Sequence, residues 1–357
     1  MKVLFKNRFD AFTSFGGDTV QMLNTKRELE SLGVTVDIDL GVTKDLREYD
    51  LVHFFNLMRT YEGTLAIWQA KDANIPVVYS SIYWDFTEFN NVGRQSKLHG
   101  FLHNNFSEFT VEKFKECVRG VRDGNLSTYL RYMGSNFYKT LESVDLFLPN
   151  SKSEGELIRS RVLENAPYHV VHNAVDESIF NMRKLQQREK KALTVARIDP
   201  RKNISALVDS HLPIELDIYG AKAPNHALYF DQLNERKPKN IRFMGAIDNA
   251  KLTEIYNSYF LHILPSWLET PGLSQLEAAA CGCNIVSTIK GSAKEYFGEM
   301  ASYCEPGKPQ SISDAVLKVL EEPIEPREIS EYVLDNYTWK RTAAQTLAAY
   351  NTVLGLS

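Results

Sequence analysis

Short apolar runs alternate with segments of helical period along almost the whole chain. In the first half the runs fall at residues 3–5, 34–38, 51–54, 76–80 and 146–148. A second series occupies 192–196, 214–219, 241–244, 260–264 and 284–287. Runs this short, each followed by a helical pattern, predict strands joined by helices, and hence βα units around parallel sheets. Residues 18–32 carry one such helical pattern, with Gly33 as its C-terminal cap. The polar, charged stretch 176–191 separates the two series and reads as a linker. The fold expected is α/β: two Rossmann-like domains with parallel sheets facing across a cleft, a favoured place for a ligand. The boundaries expected are 1–175, 176–336 and a final segment, 337–357.

Two segments depart from the alternation. Residues 85–140 read as a mostly helical insertion carrying Phe86, Phe89, Phe101, Phe106, Phe109 and Phe114 among polar positions. Tyr337-Thr338-Trp339-Lys340 opens a helix that runs to about residue 354. The chain shows neither an internal repeat of solenoid period nor a low-complexity tract.

Composition narrows the classes. A length of 357 residues suits two domains, and 43% hydrophobic content allows each a core. Net charge is −4 and the isoelectric point about 6.1, so no bulk attraction to nucleic acid is expected. No apolar run approaches the roughly 20 residues of a membrane span. The start, Met1 to Asn7, has too short an apolar stretch for a signal peptide. Cys117, Cys281, Cys283 and Cys304 form no disulfide framework, so a cytoplasmic setting is expected. Cys281-Gly282-Cys283 has no His or Cys cluster beside it and reads as packing at a helix end.

The chemistry concentrates between Pro265 and Gly282. Glu269 and Glu277 stand eight positions apart, after the run 260–264 and within a small-residue stretch, 276–280, read as a short helix stopped by Gly282. One carboxylate is expected where a strand ends, the other in the first turn of the next helix. That rim is where open α/β sheets bind ligands. Carboxylates there suit the hydroxyls of a polyol, and the free amides of a helix start suit a phosphate. Together they point to a sugar nucleotide. Another reading takes Ser274-Gln275-Leu276-Glu277 as a capping box and Glu269 as a solvated loop residue.

A second cluster lies in Leu193-Thr194-Val195-Ala196-Arg197-Ile198-Asp199-Pro200-Arg201-Lys202-Asn203, a strand that ends in basic residues and enters a helix. Arg197 offers a planar fork to a phosphate and Lys202 a point charge. The pair would hold a diphosphate and offset its charge as it leaves. Arg201 reads as part of a solvated basic turn.

Asn150-Ser151, His172-Asn173-Ala174-Val175-Asp176, Val195-Ala196-Arg197 with Lys202, Phe243-Met244-Gly245, Pro265-Ser266 and Glu269…Glu277-Ala278 occur in this order. The set resembles the retaining family-four glycosyltransferases (glycosyl transferases group 1), which have the two-domain GT-B fold. Phe15-Gly16-Gly17 and Asp50-Leu51-Val52-His53 carry a thinner likeness in the first half. The resemblance implies a retaining hexosyltransferase of polysaccharide biosynthesis that needs no metal and no cofactor, its UDP- or GDP-linked donor being a substrate. Arg197 and Lys202 would grip the donor diphosphate, and Glu277 would accept from the ribose hydroxyls. Glu269, Thr270 and the amides of Gly272 and Leu273 would hold the transferred sugar and nearer phosphate. Residues 244–247, with Gly245 and Ile247, would line the base. Gly16 and Gly17 would face the diphosphate from the first domain, and the last helix would cross back onto that domain.

This sequence departs from the pattern in three places, the smallest being Asn173-Ala174-Val175-Asp176 where the family has Asn-Gly-Val-Asp. Where the family has Glu-Gly-Phe-Gly-Leu, it has Glu269-Thr270-Pro271-Gly272-Leu273, and Pro271 has no amide to donate. The loop Ser80-Ser81-Ile82-Tyr83-Trp84-Asp85 lacks the family's His, for which Tyr83 or Asp85 is the candidate substitute.

The acceptor expected is a glycan or a lipid-linked glycan. Residues 94–131 hold Arg94, Lys97, Lys113, Lys115, Arg119, Arg122 and Arg131 against Glu108, Glu112, Glu116 and Asp123. With the phenylalanines, they suit peripheral contact with an anionic membrane, at its inner face. The other reading packs the phenylalanines inward and solvates the charges. His99 and His103 have no third ligand to make a metal site. Other functions consistent with the sequence are a non-catalytic GT-B-like binding protein, a sugar-nucleotide epimerase and a glycan phosphorylase.

Overall fold

A computed structural model describes residues 1–41, 45–93, 106–120, 126–183, 188–223 and 226–356. The chain divides into two compact units: Met1–Asp85, Phe101–Asn173 and Trp339–Ser357 form one, and Phe86–Gly100 with Ala174–Thr338 the other.

The first unit holds β1 (Lys2–Lys6), β2 (Thr35–Ile38), β3 (Leu51–Phe55), β4 (Val77–Ser80) and β5 (Leu146–Phe147), paired in the order β2-β1-β3-β4-β5. Every pairing is parallel. Strands covered on both faces need continuous apolar runs rather than alternation, and all five residues of β3 are buried. The C-terminal helix Trp339–Leu354 packs on helix Gly17–Ser31 of this unit. His53 of β3 fixes it there: Nδ1 lies 2.6 Å from the Tyr350 hydroxyl and Nε2 2.9 Å from Ser80 Oγ. Burial lowers the His53 pKa to about 3, so the ring is neutral.

The second unit holds β6 (Glu189–Val195), β7 (Leu216–Tyr219), β8 (Ile241–Gly245), β9 (Tyr259–Leu264), β10 (Asn284–Thr288) and β11 (Ser302–Cys304). They pair in the parallel order β11-β10-β9-β6-β7-β8. Three findings differ from the sequence reading. Glu189 to Lys191, read as linker, open β6, because pairing with β9 begins at Glu189. β11 escaped notice because three residues with Tyr303 between Ser302 and Cys304 make no apolar run. Residues 86–93, assigned to the first domain, group with the second unit, where the Phe89 ring lies 6.3 Å from that of Trp267 and Glu88 pairs with Lys290 at 2.9 Å.

The insertion is helical over Glu108–Arg119, Leu126–Gly134 and Phe137–Leu141. Its phenylalanines divide: Phe89 and Phe109 are buried, Phe106 and Phe114 exposed. Arg94, Lys97, His99, Phe101, His103, Arg122 and Asp123 lie outside the described residues. No described helix is long and apolar enough to cross a membrane.

Candidate functional site

The site grows from the C-terminal ends of β6 and β9, neighbours in the second sheet. After β6 the buried Asp199 caps a single 3-10 turn, Pro200–Lys202, by accepting from the Arg201 amide at 2.9 Å. Asn203 then turns left-handed (φ 54) and its side-chain amide donates to the carbonyls of Pro265 (3.0 Å) and Pro306 (2.8 Å). The Trp267 amide donates to the Arg201 carbonyl at 2.9 Å. These bonds lock the basic turn against the segment that follows β9, and so set Lys202 beside Glu269.

Glu269 is buried, and its Oε1 accepts from Lys202 Nζ at 2.6 Å and Ser266 Oγ at 2.5 Å. Its backbone lies directly against Gly291, where a Cβ would stand 2.1 Å from the Glu269 carbonyl oxygen; only glycine fits there, at φ +95. Arg197 is half exposed, with Nε 3.0 Å from Asp199 Oδ2, and Arg201 is half exposed with Nε 3.6 Å from Asp199. Burial pulls the Asp199 carboxyl upward, but Arg201, Arg197 and Lys202 outweigh it and hold the group below its ordinary range. Asp199 therefore stays ionised and fans two guanidinium groups around one turn.

The Thr270-Pro271 bond is cis and Gly272 is left-handed (φ +91). The helix after them begins at Leu273, not at 276 as the sequence suggested, and Gly272 takes the capping position. With Leu273 as first helical residue, Glu277 is the fifth, in the second turn. The capping-box reading is overturned: no side chain caps this helix, and Gln275 bonds instead to Ser287 Oγ (2.9 Å) and the Val286 carbonyl (3.3 Å). The amides of Leu273 and Ser274 have no acceptor within the helix. A Cβ on Gly272 would lie 3.2 Å from Glu269 Oε2, so that oxygen adjoins the helix start.

Glu277 points to Tyr256 of helix Asn249–Ser258, whose hydroxyl donates to Oε2 at 3.1 Å. Burial pushes the Glu277 carboxyl up to about 7, against the pull of the Tyr256 hydrogen bond, although the residue keeps some exposure. Gly245 ends β8 at φ +83, and Ile247 packs on the apolar cluster that contains Tyr256 and Leu276. Arg197, Lys202, Glu269, Thr270, Gly272, Leu273 and Glu277 thus share one sheet rim, with Gly245 at the end of the edge strand β8 and Ile247 just beyond it. Gly16 and Gly17 belong to the first unit, at the start of helix Gly17–Ser31. In that unit Tyr83 is buried beside Glu108, whose carboxyl burial pushes up to about 7 with Asp85 and Glu112 adding to the rise. Asp85 pairs with Arg161 at 3.4 Å.

Sequence reasoning missed Asp199, Tyr256 and His262, and took Ser266 only as a motif residue. Asp199-Pro200 carried a usable signal, an acidic cap before a proline at the start of a turn. Nothing local marked Tyr256 or His262. His262 of β9 is buried, accepts the Val195 amide at Nε2 (3.3 Å) and makes no bond at Nδ1 among the described residues. Burial, then the charge of Lys202, lowers its pKa to about 3. No group of three His, Cys, Asp or Glu placed to ligate a metal occurs among the described residues.

Two parallel α/β units, one with cations and carboxylates gathered at its strand ends, define the GT-B class of glycosyltransferase fold. Residues 175–335 match the profile of glycosyl transferases group 1. The match lies within the second unit and takes in less than half of the chain. It is 26% identical over 248 residues to O-antigen chain mannosyltransferase B of Escherichia coli, covering 62% of this chain and 64% of that one. It is 31% identical over 170 residues to a probable sucrose-phosphate synthase of Thermosipho melanesiensis, covering 43% and 39%. The chain thus spans between about two-fifths and just under two-thirds of these curated relatives' own length. Among solved structures, sucrose-phosphate synthase from Thermosynechococcus elongatus superposes with a TM-score of 0.71 at 16% identity, all of each chain being covered. Anabaena HepE in complex with UDP-glucose gives 0.65 at 15% identity, covering 98% of this chain and all of that one. At these identities the structures establish the fold alone.

Proposed function

We propose that this chain is a retaining glycosyltransferase that moves a sugar from a nucleoside diphosphate donor to a hydroxyl of a glycan or lipid-linked acceptor, with no metal ion. The observation that carries the proposal is the ion pair of Lys202 with Glu269, 2.6 Å apart at the β6–β9 rim, with Arg197 beside it. A diphosphate there meets two cations, and a sugar meets a buried carboxylate whose second oxygen lies at a helix start. The donor's anomeric C–O bond breaks and its electron pair leaves with the diphosphate. The acceptor oxygen forms the new bond on the same face and gives its proton to the departing phosphate oxygen. Arg197 and Lys202 offset the charge that develops there. Glu277 accepts from the ribose hydroxyls, and residues 244–247 line the base. The UDP, UDP-glucose and ADP complexes of structural neighbours support a nucleoside diphosphate, with the base open.

Thermal unfolding with UDP, GDP, ADP and CMP tests this. One diphosphate at about 100 times its Kd adds about 2.7 kcal/mol and raises the midpoint by several degrees, and Arg197→Ala abolishes the shift. No shift with any nucleotide overturns the proposal.

A membrane-held acceptor has its own support. Phe106, Phe114, Val118, Leu126 and Leu130 are exposed on or beside two helices of the insertion, with Val118 at 90%. Those helices carry Lys113, Lys115, Arg119 and Arg131. Apolar side chains among cations suit an anionic bilayer. The protein is expected to float with phosphatidylglycerol vesicles and to lose this on Phe114→Asp with Leu130→Asp; absence of flotation at low salt excludes it.

A further inference from the structure

The rim holds a buried phenol that the proposed chemistry does not use. Tyr256 is fully buried, and its backbone carbonyl is held by Arg188 Nη1 (3.1 Å) and Cys283 Sγ (2.9 Å). The Phe180 ring lies edge-on at 6.0 Å and the His262 ring at 6.1 Å, so the phenol has little freedom to swing. Its hydroxyl reaches one acceptor among the described residues, Glu277 Oε2. Oε1 accepts nothing among them.

We infer that Tyr256 is a positioning residue for the nucleotide: its hydroxyl ties one oxygen of Glu277 and so presents the other to the ribose. The inference rests on the reading of Glu277 as the ribose acceptor. A phenol O–H donates better to a carboxylate than to a carboxylic acid, so the same bond favours the ionised Glu277 that a ribose diol needs. Burial and the nearby Glu277 raise the Tyr256 pKa far above its ordinary value, so it remains a donor across the working range. The titratable groups packed around Tyr256 and Glu277 do not compete. Burial holds the Cys281 and Cys283 thiols protonated and keeps His262 neutral. With the Glu277 carboxyl at about 7, nucleotide affinity should rise as pH passes from 6 to 8.

The test is calorimetric titration of UDP, GDP and ADP, in parallel, into wild type, Tyr256→Phe, Glu277→Gln and the double variant from pH 6 to 9. Tyr256→Phe removes one oxygen and keeps the ring; its thermal midpoint without ligand reports whether the core is intact. Losing a hydrogen bond to the ionised form should move the midpoint of the affinity rise up by about one pH unit. Affinity at pH 7 then falls about five-fold and recovers to within about two-fold by pH 9. Glu277→Gln should flatten the rise, and Tyr256→Phe should add nothing in that background. A Tyr256→Phe profile that superimposes on wild type, or a loss equal at every pH, overturns the inference. If Glu277→Gln also binds as wild type does, the ribose role of Glu277 fails with it. If Glu277→Gln weakens binding and Tyr256→Phe does not, the positioning role alone fails.

Discussion

A Ser-x-x-Glu run lies near a helix start in each unit, Ser151 to Glu154 and Ser274 to Glu277, and the two end differently. In the first unit Ser151 caps helix Lys152–Arg161, accepting from the Glu154 amide at 3.1 Å. Glu154, third in that helix, is buried and accepts from the Asn150 amide and the Tyr83 amide, each at 2.8 Å, and from Ser81 Oγ. In the second unit Ser274 caps nothing, because Gly272 has already started the helix at Leu273. Glu277, fifth in its helix, takes one hydrogen bond among the described residues, from Tyr256. The structural carboxylate is surrounded by donors from its own protein; the candidate binding carboxylate is left with an oxygen to spare. Burial sets the charge of the second: its carboxyl is pushed up to about 7. A buried acid with few donors is held near neutrality, where a ligand's hydroxyls can tip it.

Two pairs of variants would sharpen or break this contrast. The larger effect is expected from the glutamates, compared without ligand by thermal and urea unfolding at pH 8. Glu154→Gln should cost about 2–3 kcal/mol, because three donors lose a charged acceptor. Glu277→Gln should be neutral or stabilising. A carboxyl whose folded pKa lies above its unfolded value of about 4.5 contributes stability below that value, and the contribution is lost as pH rises to about 7. The Gln variant should therefore gain on wild type between pH 5 and pH 8. Equal costs for the two glutamates would erase the distinction. The smaller effect is expected from the serines: Ser151→Ala should lose about 1 kcal/mol of a cap, and Ser274→Ala should stay within about 0.5 kcal/mol. A full capping cost at Ser274 would mean that the second helix starts later in solution than at Leu273.

Much of the fold was legible in the chain. β3 and β9 are largely apolar runs, since a strand buried on both faces leaves no room for polar alternation. β11 was not legible, because at three residues it depends on pairing with β10 rather than on its own side chains. Arg197, Lys202 and Glu269 could be picked out because a strand that ends in charge is unusual. Their partners could not: Ser266 Oγ and Tyr256 are ordinary core or turn residues until the fold sets them against a carboxylate. Lys202 and Glu269 are 67 positions apart, and Tyr256 and Glu277 are 21 apart.

The sequence by itself determined the alternation of strand and helix, the division into two α/β units and the chemical kind of the rim: two cations and two carboxylates. These follow from side-chain periodicity and charge, which are local properties. Tertiary structure alone decided which Ser-x-x-Glu became a cap and how much room each carboxylate was left. The reason is that a helix start is chosen by backbone geometry, here Gly272 at positive φ after Pro271, and a carboxylate's charge by the donors and apolar atoms that other segments bring to it.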